Sequence, residues 1–106
     1  MAKYLVQANY SAEGFKGVAK DKASGRKAAL QKALASVGGK LDAIYYAFGD
    51  CDVVLIVEAP DNAAVAAFGM AACSTGLART ITTPLLTVDE ADQAINKGIR
   101  YRGPGQ

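Results

Sequence analysis

Leu41-Asp42-Ala43-Ile44-Tyr45-Tyr46-Ala47-Phe48-Gly49-Asp50-Cys51-Asp52-Val53-Val54-Leu55-Ile56-Val57 is the stretch whose reading decides the fold. Two runs rich in β-branched and aromatic residues, Leu41 to Phe48 and Val53 to Val57, flank a Gly49-Asp50 turn signal, the pattern of a β-hairpin. An antiparallel sheet with one wet face should alternate apolar and polar residues. The second run does not alternate at all. The first places Leu41, Ala43, Tyr45 and Ala47 on one face and Ile44, Tyr46 and Phe48 on the other. Both faces of this hairpin therefore call for burial. Helices can cover one; a second sheet is expected to cover the other.

Upstream, Tyr4 to Ala8 reads as a first strand. Ser11 can cap a helix, with Tyr10 and Phe15 at the spacing of a hydrophobic staple. Ala23-Ser24-Gly25 is expected to interrupt that helix, Ser24 capping a second piece. In that piece Leu30, Ala33, Leu34 and Val37 form one apolar stripe, and Gly38-Gly39 ends it. Downstream, Pro60-Asp61-Asn62 stops the hairpin and opens an alanine-rich helix, capped by Asp61, with Val65, Phe68 and Ala72 on one face and an end near Gly76. Arg79 to Pro84 reads as a fourth strand. Thr87-Val88-Asp89-Glu90 is a capping box before a short last helix with Ala91, Ala94 and Ile95 as a weak apolar face. Residues 100–106 are expected to form an extended tail. The order βαββαβ, with right-handed crossovers, predicts one α+β domain over residues 1–106: a ferredoxin-like, four-stranded antiparallel sheet with helices on one face and an extra C-terminal helix.

Composition narrows the function classes. At 106 residues the chain fits a single domain, and 51% hydrophobic against 21% charged residues points to apolar surface covered by a partner. The net charge of +2 is too small to suggest nucleic acid or membrane binding. It is unevenly placed: residues 11–40 carry seven basic residues against Glu13 and Asp21, a local +5 that leaves −3 elsewhere. Histidine is absent, which removes the commonest general base and metal or haem ligand, and Cys51 and Cys73 have no metal-binding spacing. No metal or redox cofactor is expected. The start, Met1 to Gln7, turns polar after one short apolar run, unlike a secretory signal. No stretch approaches the roughly 20 apolar residues of a membrane span. A cytoplasmic location is the expectation.

Several blocks bear a likeness to a known family: Lys3-Tyr4-Leu5-Val6-Gln7-Ala8, Gly38-Gly39-Lys40-Leu41, Tyr45 through Val54, and Arg79-Thr80-Ile81-Thr82-Thr83-Pro84-Leu85-Leu86-Thr87. Together they span nearly the whole chain, and the chain resembles the GYD-domain proteins. Gly49 and Asp52 fit the signature that names the family, while Cys51 stands where tyrosine is expected. The resemblance implies the ferredoxin-like fold and assembly of the dimeric α/β-barrel type. Fold relatives of that family include cofactor-free oxygenases, haem enzymes and binding modules, so the fold does not set the function.

Asp50 and Asp52, two residues apart, would share a side if both stood in strand geometry; a turn with a solvated edge is the plainer reading. Cys51 reads as a small strand residue and Cys73 as core. Arg79, the one charge of the fourth strand, has two readings. It pairs with Asp42, Asp50 or Asp52, or it points into a cavity beside Thr80 or Tyr10 as an anion anchor. Tyr10, Tyr45, Tyr46 and Phe48 either line an aromatic pocket or serve core and interface. The basic run reads as a solvated helix face, without the interleaved aromatics of a nucleic-acid site.

The candidate ligand-binding residues are thus Arg79, Thr80, Tyr10, Tyr45 and Asp52. Three functions compete. The first is a homo-oligomer, a dimer at base, binding a small anionic or aromatic ligand. The second is a cofactor-independent oxygenase or isomerase with a tyrosine or Asp52 as base. The third is a structural or interaction subunit.

Overall fold

The computed structural model describes all 106 residues. In chain order the elements are β1 (Ala2–Tyr10), α1 (Ala12–Ala35), β2 (Lys40–Tyr46), β3 (Val53–Ala59), α2 (Asn62–Ser74), β4 (Ala78–Leu85) and α3 (Val88–Ile95). The four strands form one antiparallel sheet in the order β2-β3-β1-β4. This is the ferredoxin-like βαββαβ arrangement with an added C-terminal helix. No helix is long and apolar enough to cross a membrane.

The two central strands make the core. Tyr4, Val6 and Ala8 of β1 lie opposite Val57, Leu55 and Val53 of β3, and all six are buried against Leu34 of α1 and Val65 and Phe68 of α2. Each fully buried large side chain contributes about 1.5–3 kcal/mol. Tyr4 can be buried because its hydroxyl donates to Asn62 Oδ1 at 2.7 Å.

The helix starts follow their sequence signals. Ser11 Oγ accepts from Gly14 N, and the Tyr10 and Phe15 rings meet edge to face at 5.4 Å. Asp61 Oδ1 accepts from Ala64 N, and Thr87 and Glu90 bond reciprocally. Gly38 ends α1 at φ +75°, and Gly39 N donates to Leu34 O.

Four expectations are corrected. The break in α1 falls at Lys22, not at Ala23-Ser24-Gly25, and Ser24 caps nothing. Lys22 takes φ 67° and ψ 161°, a left-sided backbone that costs a non-glycine residue about 1–3 kcal/mol. Second, β2 carries a bulge between Leu41 and Ala43, so Leu41 joins Ile44 and Tyr46 on the helix side, while Ala43 and Tyr45 face away opposite Ile56 and Val54. Strict alternation along β2 missed the extra residue, Asp42. Third, the hairpin loop is wider than a Gly49-Asp50 turn: β2 ends at Tyr46, and Ala47 N donates to Asp52 O at 2.8 Å. Phe48 and Cys51 are therefore loop residues, and Asp50 and Asp52 do not stand in strand geometry. Fourth, Cys73 is only half-buried, outside the core cluster, with its thiol 3.5 Å from Thr80 Oγ1.

Helices α1 and α2 lie over one side of the sheet. The other side carries Leu5, Val54, Ile56, Ile81 and Leu85 with no helix over them, and Ile81 and Tyr45 are 65% and 69% exposed. At one end of this open face Lys3 Nζ lies 2.6 Å from Asp42 and 3.2 Å from Glu58.

Candidate functional site

A cleft opens on the helix side of the sheet between α1 and α2, beside the Lys22 break. Its mouth, about 220 Å³, is bounded by Tyr10, Gly14, Val18, Asp21, Leu77 and Ala78. A groove of about 270 Å³ continues between α1 and α2. A smaller hollow of about 50 Å³ reaches down to Val53, Leu55, Phe68 and Thr80 on the sheet. Arg26 and Ala72 line all three.

Arg26 stands in the first turn after the Lys22 break. Its side chain is 29% exposed, and its only ionic partner is Asp21, at 3.7 Å. A guanidinium so held keeps most of its five donors available to a carboxylate or phosphate. Tyr10 and Tyr46 stand beside it. Tyr46 lies on the helix side, opposite Val53. Its phenol is pushed up to about 12, by burial first, then by the neighbouring Tyr10 hydroxyl, with Arg26 pulling the other way. Tyr10 lines the mouth and the deep hollow, while Tyr46 borders Tyr10 and Arg26 without lining any of the three hollows. At neutral pH Tyr46 is a donor and not a base.

The sequence-derived candidates separate into three places. Tyr10 and Thr80 both line the deep hollow. Asp52 is half-buried and uses Oδ2 to accept from Tyr10 N at 2.8 Å, which holds the end of β1 beside the cleft. Arg79 and Tyr45 lie on the open face, Arg79 opposite Asn9 and Tyr45 opposite Val54. Neither reading of Arg79 describes the monomer: it makes no ion pair and lines no cavity, and Asp42 is taken by Lys3. Cys51 is half-buried in the hairpin loop, its sulfur 3.8 Å from Gln7 Nε2. The Cys73 thiol is drawn below its ordinary value by its contact with Thr80.

Sequence reading missed Arg26, taken as one more charge on a solvated helix face. Its one distinguishing mark was being the only arginine among the lysines of that run. No three Cys, Asp or Glu side chains converge as a metal-ligating group.

The model of the GYD domain matches residues 4–95. The chain belongs to the GYD-domain family. That match runs from within β1 to the end of α3 and includes the whole cleft. No curated protein and no solved structure matches the chain.

Proposed function

We propose that this GYD-domain protein is a small-molecule-binding homo-oligomer that captures an organic anion in the cleft between α1, α2 and the sheet, without a metal or redox cofactor. The observation that carries this reading is Arg26, a half-buried guanidinium with one loose partner at the meeting point of three hollows. Arg26 would hold the acid group, Tyr10 would donate to it, and the apolar part of the ligand would lie toward Leu55 and Phe68. An acid with an aromatic or branched apolar portion fits that division of the cleft.

The oligomeric part rests on the open sheet face, whose apolar centre suits a second copy placed face to face; Arg79 and Tyr45 would then border the space between the two sheets. The two free thiols support a reducing compartment, the cytoplasm.

Calorimetric titration with a panel of aromatic and aliphatic carboxylates tests the ligand reading. At least one acid should bind the wild type, and Arg26→Gln should weaken it by about 10- to 100-fold, the value of a charge-assisted hydrogen bond. Equal binding by Arg26→Gln, or no binding by any acid, would defeat the reading. Sedimentation of wild type against Ile81→Asp tests the face-to-face pairing.

A further inference from the structure

Three surfaces of the chain lack partners, and two of them complement each other. The first is α3. None of its residues is buried; Val88 and Ile95 are 80% and 77% exposed, and Leu86 and Ile99 continue the same apolar character on either side. An eight-residue helix with no packed face is marginal in water, whatever its capping box adds. The arm also stands away from the body: the radius of gyration is 16.7 Å, against about 13 Å for a compact chain of this length.

The second surface is the groove between α1 and α2. From Asn62 to Ser74 α2 has no charged residue, though Ala66, Ala67, Met70 and Ala71 are exposed. A surface helix ordinarily turns a charged face to water. The groove beside it is walled by Leu30, Ala33, Val37, Ala67, Phe68 and Ala71. The part of α1 that walls it, after the Lys22 break, holds Arg26, Lys27 and Lys32 and no acidic residue, and Arg26 lines the groove itself. The arm has the opposite sign: α3 holds Asp89, Glu90 and Asp92 and no basic residue. The third surface, the open sheet face, mixes Lys3, Lys40 and Arg79 with Asp42 and Glu58 and offers no such preference.

We propose that the C-terminal arm of one copy docks on a second copy, with Val88 and Ile95 in the groove between α1 and α2 and the acidic face of α3 toward the lysines of α1. This contact lies on the opposite side of the sheet from face-to-face pairing, so the two can build a larger assembly together. The docked arm roofs the groove at the end away from Tyr10.

A zero-length carboxyl–amine coupling reagent, applied to an equimolar mixture of isotopically light and heavy full-length protein, tests the proposal. Mixed light–heavy links should join Asp89, Glu90 or Asp92 to α1 lysines such as Lys27 and Lys32. The double variant V88D/I95D should lose those links and associate about tenfold or more weakly, while its far-ultraviolet spectrum keeps the β-sheet signal. Links only within one isotope would mean that the arm folds onto its own body. That result overturns the proposal, as does the absence of arm-to-α1 links or unchanged association of the double variant. Because the links are read directly, the outcome does not depend on whether Arg26 binds an acid or the sheets pair.

Discussion

Gly14→Ala adds one methyl group where the chain has no room for it. A Cβ on Gly14 would fall far inside contact distance of the Leu77 carbonyl oxygen and 3.2 Å from Tyr10 Cβ. The obstruction is backbone and cannot rotate away. That carbonyl also accepts from Ser11 N at 2.9 Å, the bond that ties the start of α1 to the start of β4. Overpacking of this kind costs about 1–3 kcal/mol, and loosening the hydrogen bond about 1 more. Alanine returns about 1 kcal/mol in helix propensity. The net loss is about 1–3 kcal/mol, or a fall in Tm of about 5–20 °C for a domain of this size. Gly17→Ala is the matched control, three residues on in the same helix with nothing within 4 Å of the added methyl. It should raise Tm by a few degrees, about 0.5–1 kcal/mol. Because Gly17 also lines the cleft mouth, its methyl should weaken acid binding even as it stabilises the fold. Thermal unfolding followed by circular dichroism reads both variants. Equal melting temperatures, or a more stable Gly14→Ala, would refute the close approach of α1 to Leu77.

Asp52→Ala leaves the half-buried Tyr10 N without its acceptor and should cost about 1–3 kcal/mol in urea unfolding, with Asp52→Asn retaining part of that stability. Glu90 is held below its ordinary value of 4.5 chiefly by the Thr87 backbone N–H, then by the Thr87 side chain. A carboxylate with a depressed folded value stabilises fully above 4.5 and loses that contribution as pH falls through the lowered value. Amide signals of α3 should therefore fade as the pH falls below 4.5, before those of β1 and β3 do, and Thr87→Ala should weaken α3 at neutral pH as well. In a spectrophotometric titration Tyr46 should ionise late, toward pH 12, and Tyr46→Phe should remove that contribution.

Local chemistry determined much of this protein. The caps at Ser11, Asp61 and Thr87, the stop at Gly38 and the order of elements depend on neighbours in the chain, so they could be read from it. The two-sided apolarity of the hairpin was equally legible, because alternation is a property of consecutive residues. Tertiary structure decided the rest. The bulge at Asp42 moved Leu41 to the helix side because β3 imposes its own register and Asp42 is drawn to Lys3 across the sheet. An interruption of α1 was legible in Ala23-Ser24-Gly25, but its placement one residue earlier, in the strained backbone of Lys22, was not. Arg79 and Thr80 looked like one site as chain neighbours, yet strand pleating sends them to opposite faces. Arg26 looked like a solvated charge, and only the packing of the kinked α1 over Tyr10 and Phe68 makes it the centre of a cleft. A site is a set of side chains that converge from distant segments, and convergence depends on register and helix placement, which are settled by the packing of the whole chain.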